Sequence, residues 1–435
     1  MLSIATVAKN SAWVGVVQIL NFAFPLLTLP VAARAFGPGA YGLIASLNAS
    51  AAYAGLLITF GYNMTGPRLI ARTSADPEAL SRAFSTIYLG QLALAAIALL
   101  AGTAVALWSG DGSNLTLELV ILIGVVAAAM TPTWMFAGLQ TMRDMVLPQL
   151  LLRAVAAVLI VSLIRRQSDA LLYVGINSGV MVLGCLVALF ILRRRGIGLR
   201  KTPAAEIWQA ARGTVRLFVS SMAVNLYTGT NVIVVGMLLG PVAAGYFALA
   251  DRVRGAAVGL FDPLSQSLYP YLCSVEPSAS RDQHQRLFFR TLLASSVLAT
   301  LALYWGSPLI ALFLGGERFA HSVPLLRILS LTPVLICLSN LLGIQTMLPK
   351  NMERELSVIS GLAGVGGVLL LLASTTTFGL PGAAWSYVAV EAGVTLAMAA
   401  CVRRRQPLLS LFLQPAAKAA GGTENPAPSA GAATR

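Results

Sequence analysis

Residues 10–42 read NSAWVGVVQILNFAFPLLTLPVAARAFGPGAYG. No charged residue interrupts the run from Asn10 to Ala33, and a stretch of that length crosses the roughly 30 Å of a bilayer core as a helix. At Gly37-Pro38-Gly39 the run stops, because glycine favours the end of a helix and proline the start of the next. A second apolar run begins at Tyr41. The stretch reads as two membrane helices joined by a tight turn.

Working outward, comparable stretches fall near 10–33, 41–63, 83–108, 115–139, 145–164, 170–192, 214–239, 243–272, 288–306, 323–348, 356–377 and 381–402. Twelve spans are expected. Composition demands the same class: 57% of residues are hydrophobic, 11% are charged and mean hydropathy is +0.79, against about 25% charged in soluble domains. Ala33-Arg34-Ala35 resembles the small-residue site of a cleaved signal peptide, but the apolar region before it is too long, and eleven more follow.

Lys and Arg partition unevenly between alternate loops. With the N-terminus in the cytoplasm, 22 fall inside and four (Arg34, Arg165, Arg166, Arg318) outside. Arg153, Arg252, Arg254 and Arg327 remain in or at the edge of spans. This asymmetry places both termini in the cytoplasm. It also accounts for the net charge of +14 through contact with an anionic leaflet, so no nucleic-acid partner is expected.

No cofactor or metal is expected. Cys185, Cys273, Cys337 and Cys401 form no C-x-x-C pair and read as small hydrophobes. His284 and His321 are expected in loops on opposite sides, too far apart to share a metal. No Walker-type loop is present, and the chain does not read as an enzyme.

The chain repeats itself. Gly37-Pro38-Gly39-Ala40-Tyr41-Gly42 is echoed by Gly240-Pro241-Val242-Ala243-Ala244-Gly245, followed by Tyr246, and Gly138-Leu139-Gln140-Thr141-Met142 by Gly343-Ile344-Gln345-Thr346-Met347. The basic linker 193–213 divides the spans into six and six: an N-terminal lobe 1–192, a C-terminal lobe 214–403 and a cytoplasmic tail 404–435, largely disordered. Because six spans return the chain to its starting side, the halves are parallel repeats with a cleft between them. The expected fold is an all-α membrane protein of about 12 transmembrane helices in two pseudo-symmetric six-helix lobes around a central cavity.

Ionisable groups inside spans normally face such a cavity. With Asp251 at zero on a wheel of 100° per residue, Gly255 falls at about 40°, Asp262 at about 20°, Arg252 at about 100° and Arg254 at about −60°. Leu249, Val253 and Leu260 lie near the opposite pole. Asp251 and Arg254 are three apart and can pair, which leaves Arg252 freer to meet a ligand. The alternative is that these charges sit near a span end and snorkel to the headgroups.

Asn10, Asn21 and Thr28 share one face of the first span, where Pro25 and Pro30 should loosen the helix. Asn225, Tyr227, Thr228 and Asn231 decorate the seventh span without choosing a face. Glu391 and Arg153 are further embedded ionisables. Asp251, Asp262 and Glu391 are candidates for a coupling proton or cation, and the favoured role of Glu391 is as structural partner to an arginine. Across the embedded set arginine at least matches carboxylate, a balance that suits an anionic substrate better than a cationic drug.

The run Asn21 to Gly42, with Leu27-Thr28-Leu29-Pro30, Ala33-Arg34, Phe36-Gly37-Pro38 and Tyr41-Gly42, resembles the opening of the Wzx-type polysaccharide flippases, and Phe60-Gly61-Tyr62, Gly66-Pro67-Arg68 and Ile70-Ala71 continue the likeness. These belong to the superfamily of multidrug and toxin extruders and lipid II flippases. The resemblance implies transport of an undecaprenyl-pyrophosphate-linked oligosaccharide to the periplasmic leaflet of the bacterial inner membrane by alternating access. It also implies work alongside a polysaccharide polymerase and a chain-length regulator. It assigns substrate contacts to Arg34 and to Arg252 or Arg254 and leaves the sugars to polar or aromatic side chains, for which the candidates are Asn21, a motif residue that can equally support the fold, and Asn225 and Tyr227 of the seventh span. The rivals are an ion-coupled multidrug extruder, which would want an acidic cavity, and a membrane enzyme of polysaccharide assembly, which would want a large extramembrane loop or a carboxylate cluster.

Overall fold

Among the described residues every regular element is a helix. The computed structural model describes residues 4–108, 114–261 and 279–404, with the side chains of 4–23, 25–26 and 279–284 left out. Nine continuous helical stretches in this set are long and apolar enough to cross a membrane. Three of them bend sharply where a glycine takes a positive φ: Gly37 (67°), Gly240 (85°) and Gly379 (64°). A straight helix of 56 residues, the length of the first stretch, would run about 84 Å, far beyond a bilayer. The reversals make twelve spanning helices among the described residues. Proline follows each glycine within two residues, at Pro38, Pro241 and Pro381, where its fixed φ suits the first turn of the returning helix.

The spans are α1 (4–36), α2 (38–59), α3 (Pro77–Trp108), α4 (Leu115–Met130), α5 (Met142–Leu163), α6 (Ala170–Arg194), α7 (204–239), α8 (241–259), α9 (Ala279–Gly315), α10 (322–342), α11 (353–378) and α12 (380–403). The three glycine reversals lie at one end of the bundle, opposite the end that carries the Arg193–Arg195 and Arg200-Lys201 loop. We call these the far end and the basic end.

Several helices outrun the apolar windows. The seventh begins at Ala204, where 214 was expected, and the ninth covers Ala279–Gly315 against an expected 288–306. Hydropathy sees only the hydrocarbon, whereas helices continue through the headgroup layer with charged turns. The stretch between α6 and α7 thereby narrows to 195–203. The same extension places His284 on helix α9 and not in a loop. The fourth span stops early, at Met130, because Pro132 drives Thr131 into an extended conformation (ψ 119°), and a short helix Thr133–Gly138 follows.

That short helix packs against another, Tyr62–Thr73, at the basic end. A Cβ on Gly66 would stand 3.0 Å from the Trp134 ring, and one on Gly138 would stand 2.9 Å from the Pro67 carbonyl. Glycine at both places lets the helices touch, as small residues do in membranes. Trp134 is buried beneath them and donates its indole N–H to Gln91 Oε1 at 3.2 Å.

Candidate functional site

A cavity of about 700 Å³ opens between the two sets of helices. One wall is α2, where Tyr41, Ala45, Asn48 and Ala52 recur on one face at the three- and four-residue spacing of a helical stripe. Thr28 of α1, Arg153 of α5 and Tyr173, Asn177 and Ser178 of α6 extend it. The other wall comes from α7 and α8 and carries Asn225, Thr228, Asp251 and Arg252.

The charges of α8 divide their work. Arg254 turns away from the cavity, is 9% exposed, and donates from Nε to Asp251 Oδ1 at 2.8 Å. Its guanidinium lies 4.6 Å from the centre of the Tyr387 ring. Glu391 of α12 is 3% exposed and faces the same guanidinium electrostatically. Arg254 is thus held by Asp251 and a ring, with Glu391 close enough to act on it through charge. Arg252 is exposed on the cavity wall, and among the described residues no carboxylate lies within 4.0 Å of it. Arg153 adds a second guanidinium to the lining, near the middle of α5. The accessible charge of the cavity is therefore positive, although Asp251 belongs to its wall.

The other expected site residues fall as follows. Asn225 lines the cavity, and its carbonyl accepts the Tyr53 hydroxyl at 3.0 Å. The Thr230 hydroxyl meets the same Tyr53 oxygen, beside the interruption of α7 at Thr230, so Tyr53 joins the two walls at mid-depth. Tyr227 is not in the lining; it sits by Gly367 of α11, within electrostatic reach of Glu391 and Tyr387. Glu391 likewise lies behind the wall. Arg34 also lies outside the lining: it is exposed and donates from Nη2 to the carbonyl of Phe313 at 2.6 Å, in the last turn of α9, where a cation is favoured by the exposed carbonyls. The Asn21 side chain and Asp262 fall outside the described residues. Leu260, expected on the apolar side of the eighth span, is 67% exposed at the end of its helix.

At the far end the cavity is closed by the repeated motif itself. The turns beginning α2 and α8 lie backbone against backbone, Gly42 upon Pro241 and Gly245 and Gly245 upon Pro38. Phe319, 0% exposed in the turn between α9 and α10, is wedged between Tyr41 and Tyr246, each edge-on at 6.0 Å between ring centres. At the basic end Phe60 stacks on Phe218 at 4.5 Å.

The sequence signal for the α2 wall was available in the Tyr41, Ala45, Asn48, Ala52 spacing. Arg153 carried no such signal, since no polar stripe on α5 shows which neighbour it meets.

The model of the family described as polysaccharide biosynthesis protein matches residues 7–276, more than half of the chain. A protein from Escherichia coli (strain K12) called putative O-antigen transporter is 28% identical over 406 residues, covering 92% of this chain and 98% of its own. One of the same description from Shigella dysenteriae is 24% identical over 91% of this chain and 100% of its own. Among solved structures, the lipid II flippase MurJ in an inward closed conformation superposes with a TM-score of 0.65 at 14% identity, over 94% of this chain and 89% of its own. An inward-facing multidrug resistance MATE family transporter of the MOP superfamily gives 0.64 at 14% identity, over 88% and 94%. These two likenesses establish the fold alone.

Proposed function

Since the chain belongs to the polysaccharide biosynthesis protein family, as a Wzx-type member of the superfamily that includes the multidrug extruders and lipid II flippases, we propose that it is a flippase for an undecaprenyl-pyrophosphate-linked oligosaccharide. It carries the repeat unit of an O-antigen, capsule or exopolysaccharide from the cytoplasmic to the periplasmic leaflet of a bacterial inner membrane. The basic end is cytoplasmic, a reading supported by the Lys and Arg distribution. The lobes are the first six spans, α1–α6, and the last six, α7–α12.

The observation that carries this reading is Arg252, exposed on a largely apolar cavity wall that also offers tyrosines, amides and hydroxyls, with no carboxylate within 4.0 Å of it among the described residues. A pyrophosphate calls for charge-assisted donors that cannot lose their protons, and a guanidinium supplies a fixed fork of them. Arg252, with Arg153 opposite, takes the pyrophosphate. Tyr41, Tyr53, Tyr173, Asn48 and Asn225 offer the rings and amides that sugar hydroxyls need. The polyprenyl tail stays in lipid. A cationic drug would meet net positive charge here, which disfavours the extruder reading. Asp251, Arg254 and Glu391 form the element through which a coupling ion acts, because a proton or cation taken by either carboxylate loosens its hold on Arg254.

Transport proceeds by alternating access, with the far-end seam parting as the basic end closes. The product is the donor for a polysaccharide polymerase and its chain-length regulator. The test is deletion of the gene, complemented by wild type or Arg252→Ala, with lipid-linked intermediates assigned to a leaflet. Complete, unpolymerised units held on the cytoplasmic side in both the deletion and the variant are expected. Normal periplasmic units with a defect only in polymerisation would overturn the reading.

A further inference from the structure

Arg327 is the remaining embedded arginine, and it lies well away from the cavity. It sits five residues past the start of α10 at Ser322, about 8 Å along the axis from the far end, and its side chain is exposed on the outer flank of the bundle, beside α9. A charge facing hydrocarbon without a counter-charge is costly, and arginines so placed normally pair or reach the headgroups. Among the described residues no carboxylate lies within 4.0 Å of it.

Its surroundings are built. Ser307 of α9 is 0% exposed and spends its proton on the Tyr304 carbonyl at 2.8 Å. Its oxygen is therefore left to accept Arg327 Nε–H, at 3.2 Å. The guanidinium carbon lies 5.7 Å from the centre of the Tyr304 ring. Trp305, 75% exposed, stands edge-on to Tyr304 at 5.5 Å. Pinning Nε to one side and a ring to one face leaves the two Nη groups as a fork able to take a phosphate, beside the exposed indole of Trp305.

We propose that Arg327, Ser307, Tyr304 and Trp305 form a binding site for the phosphate of an anionic lipid headgroup on the outer flank of α9 and α10, in the leaflet at the far end. The lipid supplies the counter-charge that the described residues do not. The site is independent of the cavity and of what the cavity carries.

Trp305 is its own reporter. The full-length protein is placed in phosphatidylcholine vesicles doped with dibrominated phosphatidylglycerol or, at equal mole fraction, with dibrominated phosphatidylcholine. The Trp305 signal is taken as the difference from Trp305→Phe. Quenching by the anionic lipid should be about fivefold stronger, the factor equivalent to about 1 kcal/mol per basic residue at an anionic surface. Parity is expected in Arg327→Gln, and an intermediate preference in Arg327→Lys, which keeps charge but not fork. Soluble pyrophosphate should leave the quenching unchanged; competition by it would identify a free-phosphate site and overturn the lipid assignment. Equal quenching by the two lipids in the wild type, which needs no variant, overturns the proposal, as does a preference that persists in Arg327→Gln.

Discussion

Gly42 and Gly245 stand 203 residues apart in the chain and against one another in space: a Cβ on Gly42 would come within 2.8 Å of Gly245 Cα and overlap the Pro241 carbonyl, and a Cβ on Gly245 would overlap that of Pro38. The contact is reciprocal, as expected at a two-fold axis. Backbone meets backbone there, so no side chain can yield to make room.

Gly42→Ala or Gly245→Ala should therefore prevent the far-end seam from closing. Overpacking costs of about 1–3 kcal/mol raise the population of a minor open state by roughly a factor of ten for every 1.4 kcal/mol. In a background lacking the native cysteines, Asn48→Cys on the cavity wall should react with a membrane-impermeant thiol reagent from the far side about tenfold faster when either alanine is present. An unchanged rate would show that the seam does not gate access.

Phe319→Ala should act at the same end by a different route. It removes the wedge between Tyr41 and Tyr246 and leaves a cavity, with a cost of about 3–5 kcal/mol by analogy with buried phenylalanines. The melting temperature should fall, and far-side labelling of Asn48→Cys should rise.

The two α8 arginines should separate cleanly. Arg252→Ala should abolish export with little change in melting temperature, because Arg252 makes no ion pair among the described residues. Arg254→Ala should destabilise the protein by about 3–5 kcal/mol, since it strands Asp251 without its ion-pair partner and removes the positive charge near Glu391. Asp251→Ala added to Arg254→Ala should recover part of that loss, measured as a double-mutant cycle on thermal stability. Arg34→Ala should lower stability through the lost bond to Phe313, and reduce export less than Arg252→Ala does.

Glu391→Gln tests the coupling element. It keeps the shape of the side chain and removes its charge beside Arg254. In proteoliposomes the variant should still bind substrate, while transport loses its response to an imposed proton or sodium gradient. A response equal to the wild type would move the coupling site elsewhere.

Much of this molecule is written openly in its sequence. The spans follow from apolar length, and the Gly-Pro turns from the chemistry of helix ends. The pairing of Asp251 with Arg254 follows from their spacing. What a single helix cannot reveal is which neighbour each of its faces meets. Hence Arg153 could be seen as embedded but not placed on the cavity, and Tyr227 and Glu391, chosen as site residues, stand behind its wall. Arg34 illustrates the other limit: a residue that fits a motif can serve a helix end 279 residues away. The Gly42 and Gly245 motifs were visible as copies. That the copies touch was not, because repetition fixes symmetry without fixing distance from the axis.

That contact has a consequence for how the two halves can change over evolutionary time. Each hairpin is both lock and key, since what Gly42 offers Pro241 is what Gly245 offers Pro38. A half-length ancestor bearing one such hairpin would carry both surfaces of the joint and could close upon its own twin. In the fused chain the positions are no longer free to drift separately. A bulkier residue at either is tolerated only if the opposite turn withdraws, so positions 42 and 245 are constrained as a pair.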